Sequence, residues 1–230
     1  MPCPECEGPS MSDAEPATEI SSRQAEATVF IVDDDISVRE SLVALVNFAG
    51  WRVLTFPTAQ AFLDHPRTPQ PGCLVLDVSL PDLNGLELQE RLGQEELALP
   101  IIFITGHGDI PMSVGAIKAG AIEFLTKPLE NDVLLAAIAE AVESSAAAIE
   151  AHSTHEQLRE GYKHLTERER QVLALITAGL MNKQVAFELG ISEVTVKAHR
   201  GQVMRKMHAR SFADLVNMVS MLGLSPMRRR

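Results

Sequence analysis

The sequence predicts an α/β fold, a doubly wound five-stranded parallel sheet, followed by a small all-α domain. Three observations point there. Over the first two thirds of the chain, five short apolar runs rich in β-branched residues alternate with helical patterns, the signature of βαβ units. From Leu165 onward the pattern is entirely helical. Charge divides along similar lines: residues 1–150 carry 7 basic and 24 acidic side chains, net −17, and residues 151–230 carry 13 and 7, net +6.

Residues 1–26 are rich in Pro, Glu, Ser and Ala with almost no large apolar side chains, so they are expected as a disordered tail. Cys3-Pro-Glu-Cys6 within it has metal-site spacing, yet zinc takes four ligands and no second Cys/His pair lies nearby. Strands are expected at Thr28–Val32, Trp51–Thr55, Gly72–Leu76, Pro100–Thr105 and Ala121–Leu125. Helices are expected at Ile36–Ala49, Thr58–Leu63, Gly85–Gln94, Ile110–Ala119 and from Glu130, with right-handed crossovers placing them on both faces of the sheet. The last helix runs into the Ala-rich stretch Ala136–Ala151, where Leu134, Ile138, Val142 and Ile149 are close to heptad spacing. That spacing suits an interdomain rod, a dimer seam or a plain solvated helix. The expected organisation is a tail over 1–26, a sheet domain over 27–144, a helical linker over 145–161 and a helical domain over 162–230.

In the helical domain, Thr166 followed three residues later by Glu169 is a capping pattern that opens a helix through Ala178. A break at Gly179, a helix over Asn182–Leu189, a tight turn at Gly190-Ile191-Ser192 and a helix over Glu193–Met207 capped by Ser192 make a helix-turn-helix. On a 3.6-residue wheel, Val196, Val203 and Met207 share a face that would be core. Val194, Lys197, Ala198, Gly201 and Arg205 point away from it. Small Ala198 and Gly201 beside Lys197 would let this helix enter a DNA major groove, and the alternative is an ordinary solvated face.

Composition narrows the class. The 230 residues, 46% hydrophobic and 22% charged, suit two modest domains and exclude collagen-like or disordered classes. Three cysteines cannot frame a secreted fold, no secretory leader opens the chain, and no apolar run approaches the ~18–20 residues of a membrane span. A reducing, cytoplasmic setting is expected.

Ligands of a doubly wound sheet bind beyond the carboxyl ends of its strands. There the first strand runs into Asp33-Asp34-Asp35, the third into Asp77, the fourth into Thr105, and the fifth is followed by Lys127-Pro128. Carboxylates from two strands meeting at one edge suit a hard, oxygen-seeking cation such as Mg²⁺. A carboxylate can also act as nucleophile and form an aspartyl phosphate, with a lysine and a hydroxyl holding the phosphoryl oxygens. Asp77 is the central candidate, Lys127 the cation and Thr105 the hydroxyl. Caps and turns explain any one of these residues, Asp35 for instance as the N-cap of the next helix, but not the whole set. His107, between two glycines in a loop, is read as a solvated histidine.

These residues resemble the receiver domain of two-component response regulators over about 27–144. The motifs are Val29-Phe-Ile-Val-Asp-Asp-Asp35, Val75-Leu-Asp-Val-Ser-Leu-Pro-Asp-Leu-Asn-Gly85, Ile104-Thr-Gly-His-Gly-Asp109 and Phe124-Leu-Thr-Lys-Pro128. The resemblance implies a flavodoxin-like strand order 2-1-3-4-5 and phosphorylation of Asp77. It implies Mg²⁺ (or Mn²⁺) bound directly by Asp34 and Asp77, through water by Asp33, and by the Ser79 carbonyl. It implies further that Thr105 and Phe124 form the switch pair, that Lys127 contacts the phosphoryl group, and that the Lys127-Pro128 bond is cis.

The second domain resembles the LuxR/NarL-type DNA-binding domain over about 165–222. The carriers are Leu165-Thr-Glu-Arg-Glu169, Met181-Asn-Lys-Gln184, Leu189-Gly-Ile-Ser-Glu-Val-Thr-Val-Lys-Ala-His199 and Arg205-Lys-Met207. It implies base-reading positions at Lys197, Ala198 and Gly201, and phosphate contacts at Asn182, Lys183, Thr195, Arg200 and Lys206. Arg228-Arg229-Arg230 would add nonspecific charge or form a disordered end.

The combination resembles the FixJ/NarL class, in wording nearest the FixJ/StyR group. It implies a transcription regulator with a sensor histidine kinase, double-stranded operator DNA and RNA polymerase as partners, and no membrane. It also implies a homodimer formed on phosphorylation through the 110–119 helix and the 121–125 strand. Any enzymatic turnover would be slow autodephosphorylation. Haloacid-dehalogenase-type phosphatases also use a strand-end aspartate, but place a second acidic residue two positions on, where this chain has Ser79.

Overall fold

A computed structural model of the chain describes residues 27–95, 97–106 and 110–224. Cys3, Cys6, His107 and Arg228–Arg230 lie outside the described residues. The elements are β1 (Thr28–Val32), α1 (Ile36–Phe48), β2 (Arg52–Phe56), α2 (Ala59–Leu63), β3 (Gly72–Asp77), α3 (Gly85–Leu92), β4 (Ile101–Thr105), α4 (Ile110–Lys118), β5 (Glu123–Thr126) and α5 (Asn131–Lys163). Helices α6 (Glu167–Thr177), α7 (Asn182–Leu189), α8 (Glu193–Lys206) and α9 (Phe212–Met221) follow. The sheet is parallel throughout in the order β2-β1-β3-β4-β5, as expected.

Strands β2 and β5 begin later than their apolar runs. Helices α1 and α4 end in glycines with left-handed backbone, Gly50 (φ 88°) and Gly120 (φ 96°). The next N–H turns back to the helix, Trp51 N to the Val46 carbonyl and Ala121 N to the Ala116 carbonyl, both at 3.1 Å. Their side chains are buried, but these residues complete the helix stop instead of joining the ladder.

Each face of the sheet has its own core. Leu42 and Val46 of α1 and Leu134 and Ile138 of α5 pack on one face with Val29, Ile31, Val75 and Ile104. Phe62 of α2, Leu88 and Leu92 of α3 and Ala116 of α4 pack on the other with Leu74, Leu76 and Phe103. Leu134, Ile138 and Val142 are 0%, 0% and 6% exposed. Their near-heptad spacing is thus accounted for by the chain's own core, which takes from a dimer seam three of its four apolar positions.

The chain forms two compact units, one through Ile149 and the other from Glu150. The second is built on Leu165, Val172, Leu173, Ile176, Val185, Val196, Val203, Met207, Leu215 and Val219. The capping box at Thr166/Glu169 and the Ser192 cap of α8 are both formed. Among the described residues, no helix is long and apolar enough to cross a membrane.

Candidate functional site

Register assembles the acidic edge. Strands β1 and β3 pair with Val32 opposite Leu76, so the residues that follow, Asp33 and Asp77, emerge side by side. Asp77 pairs with Ile104 and Thr105 with Thr126, which brings Lys127 to the same edge, its N–H 2.7 Å from the Thr105 carbonyl. The Lys127-Pro128 bond is cis.

Asp33 is fully buried and Asp77 6% exposed, whereas Asp34 faces solvent. Lys127 Nζ donates to Asp33 Oδ2 at 2.7 Å and to Asp77 Oδ2 at 2.9 Å. The other Asp33 oxygen accepts from Asp35 N at 2.8 Å, and the other Asp77 oxygen from Ser79 N at 3.1 Å. Asp33, Asp34 and Asp77 each bring one oxygen within 4.8 Å of the others. Burial pushes the Asp33 carboxyl above its ordinary pKa in spite of the Lys127 and Asp35 hydrogen bonds. Burial alone would lower Lys127, but its bonds to Asp33 and Asp77 outweigh that and raise it, so the ammonium is held charged. Three carboxylates against one lysine leave an excess of negative charge that a divalent cation would neutralise, and the donor set is all oxygen, as Mg²⁺ requires.

Thr105 is fully buried and Phe124 half-buried, with its ring centroid 6.1 Å from that of Phe103. Asp35 caps α1 as expected, accepting from Ser37 N and Val38 N. Three supporting residues were not singled out from sequence. A side chain at Gly85 would place its Cβ 2.7 Å from the Asp77 carbonyl oxygen, so only glycine lets α3 start against the central aspartate. Arg39 Nη1 donates to the Asp33 carbonyl at 2.6 Å. Asp82 accepts from Ala59 N (3.3 Å) and Gln60 N (2.9 Å), tying the loop after Asp77 to α2. The Asp-to-Gly interval inside the quoted motif signalled the first; nothing local signalled the other two.

In the helical unit, Val196 and Val203 are fully buried and Met207 2% exposed. Val194, Lys197, Ala198, Gly201 and Arg205 are exposed, as the wheel requires. Gly201 has open space where a Cβ would stand. Lys183 is exposed in the first turn of α7. The remaining candidates are engaged inside the unit. Thr195 shares a hydroxyl hydrogen bond with Ser192 (2.8 Å), and Asn182 Oδ1 accepts from Arg200 Nη1 (3.3 Å). Lys206 Nζ donates to Glu169 (2.7 Å) and to the His164 carbonyl (3.2 Å). Glu169 is 5% exposed; burial would raise its pKa, but the hydrogen bonds from Lys206 and Thr166 overcome this and hold it below the usual range.

Comparison with known proteins agrees with both halves. Residues 29–139 match the response regulator receiver domain, and residues 163–219 match the luxR family of bacterial regulatory proteins. The chain is 48% identical over 208 residues to nodulation protein W of Bradyrhizobium diazoefficiens, covering 90% of each. It is 46% identical over 197 residues to response regulator protein TmoT of Ectopseudomonas mendocina, covering 86% of this chain and 90% of that one. The solved structure of the response regulator StyR aligns with a TM-score of 0.78 at 54% identity, covering 85% of this chain and 99% of that one. The sheet unit and the helix-turn-helix unit thus correspond to the two matched domains, and the chain belongs to the two-component response regulators of the FixJ/StyR group, transcription regulators with a luxR-type DNA-binding domain.

Proposed function

We propose that this regulator is switched by phosphorylation of Asp77, with a sensor histidine kinase as donor and operator DNA as target. The observation that carries the reading is the convergence of Asp33, Asp34, Asp77 and Lys127 at one sheet edge. An Asp77 oxygen attacks the phosphorus of the donor phosphohistidine, forming an acyl phosphate as the P–N bond breaks and the imidazole leaves. Asp34, Asp77 and the Ser79 carbonyl, with Asp33 through water, would hold Mg²⁺ or Mn²⁺, which would supply charge neutralisation at the phosphoryl oxygens. Asp34 suits direct ligation because it is the exposed carboxylate of the three, whereas Asp33 is fully buried. Lys127, already on Asp77, pairs with the new phosphoryl charge, and the Thr105 hydroxyl approaches it while Phe124 turns inward.

Helix α4 exposes Ile110, Val114 and Ile117 at 80%, 45% and 45%, which supports the α4/β5 face as the surface for a second copy of the chain. The paired units then read a two-fold operator. Lys197, Ala198 and Gly201 meet base edges. Asn182, Lys183, Thr195, Arg200 and Lys206 stand at the phosphate-facing positions of the resemblance. The regulator acts in the bacterial cytoplasm together with RNA polymerase, and its catalytic turnover is limited to slow loss of its own phosphoryl group.

Acetyl phosphate plus Mg²⁺ tests the switch. Intact mass should show a single phosphoryl group lost in Asp77→Asn, and light scattering should show the dimer. Multiple-turnover hydrolysis of phosphomonoesters would favour a phosphatase instead.

A further inference from the structure

Arg200 lies at the junction of three helices. It belongs to α8, its Nη1 reaches Asn182 in the first turn of α7, and its guanidinium lies over the ring of Phe212, the first residue of α9, 4.8 Å from the centroid. The side chain is half-buried, with one face covered by the ring and one edge on the Asn182 amide. Lys183 and Lys197, by contrast, are exposed. The Arg200 guanidinium is thus drawn toward its neighbours through Nη1 and one face. A planar, delocalised cation can stack and hydrogen-bond at once, which an ammonium cannot do in the same way.

Resting on the DNA-binding reading above, we propose that Arg200 is a positioning residue for sequence recognition. It clamps the starts of α7 and α9 to the middle of α8, fixing the angle at which Lys197, Ala198 and Gly201 are presented, and contributes little to phosphate neutralisation. The two roles differ in a measurable way. Losing a phosphate contact weakens binding to all sequences and lowers the slope of log affinity against log salt by about 0.9. Losing a clamp weakens specific binding with the slope unchanged.

The test uses the full chain with two probes, a duplex selected from a random pool by the wild type and a scrambled duplex of the same length, titrated across salt well below the unfolding temperature. Arg200→Lys keeps the charge and loses the stack; Phe212→Leu removes the ring and no charge. Both should lose about tenfold in affinity for the selected duplex, stay within about twofold on the scrambled one, and keep the wild-type slope. Phe212→Tyr, which keeps the ring, should restore selectivity. A purely structural role would leave the selected-to-scrambled ratio intact in folded protein. Full selective affinity in Arg200→Lys and Phe212→Leu, with a slope reduced by about 0.9 in Arg200→Gln, would overturn the inference alone. A wild type whose binding shows no salt dependence would overturn the DNA-binding reading, and this inference with it.

Discussion

Replacing Asp34 with asparagine should reverse the order of stability depending on whether a divalent cation is present. Asp34 is the exposed one of three carboxylates whose oxygens lie within 4.8 Å of one another. Lys127, bonded to the other two, offsets roughly one of their charges, so Asp34 stands against about one net negative charge. At that separation Coulomb repulsion is about 0.9 kcal/mol in bulk water and about 3.5 kcal/mol at an effective dielectric of ~20. Exposure places Asp34 near the lower figure, so without cation the variant should be more stable by about 1 kcal/mol. With Mg²⁺ at about 100 times its dissociation constant, the wild type should gain about 2.7 kcal/mol and the variant little. Trp51, the chain's one tryptophan and 7% exposed in the core beside β1, reports unfolding of this unit by fluorescence. Urea titrations in EDTA and in excess Mg²⁺ give the four midpoints. A variant no more stable than wild type in EDTA, or one that keeps the full Mg²⁺ gain, would refute the assignment of Asp34 as the open ligand of a repulsive cluster.

Glu169→Gln keeps an acceptor for the Thr166 cap but leaves Lys206, a quarter exposed, without its counter-charge; calorimetry should show a loss of about 2–3 kcal/mol in the helical unit. Because the folded pKa of Glu169 lies below its ordinary 4.5, the pair's contribution is complete above that value and is lost as pH falls through the lowered one. The gap between wild type and variant should therefore close on acidification. His208 takes a left-handed backbone (φ 56°) just past α8, a position where glycine serves five other helices among the described residues, so His208→Gly should raise the denaturation midpoint by the equivalent of about 1 kcal/mol. Residues 160–230 alone should hold nonspecific duplex more tightly than the full chain, because the −17 of the first 150 residues opposes the phosphate backbone; equal affinity in a gel-shift titration would remove that account.

Much of this was legible because it is written in short-range pattern. The alternation of β-branched runs and helical periods placed the five strands and the helices through α8, leaving α9 without an expected range, and strand ends placed Asp33, Asp77, Thr105 and Lys127 at one edge. The offsets of one residue at β2 and two at β5 arose because Trp51 and Ala121 are apolar like strand residues, while only backbone geometry shows that their N–H groups close the preceding helix. The near-heptad series through Leu134, Ile138 and Val142 was ambiguous for a related reason: a helix face buried in its own domain has the same period as one buried against a partner. Contacts between residues far apart in sequence left no trace. Glu169 and Lys206 looked like a cap and a phosphate contact, but they are 37 positions apart and form one partly buried ion pair. Arg200 and Asn182, both assigned to DNA, are 18 apart and touch each other.

The central claim is that charge arriving at Asp77 changes what the helix-turn-helix unit does on DNA. Footprinting on the gene's own upstream region tests it most directly, comparing the full chain before and after acetyl phosphate plus Mg²⁺ with Asp77→Asn treated identically. A protected two-fold site that sharpens at least tenfold in affinity on phosphorylation of the wild type, and does not change in the variant, is the expected result. Equal protection by phosphorylated wild type, untreated wild type and Asp77→Asn would contradict the account.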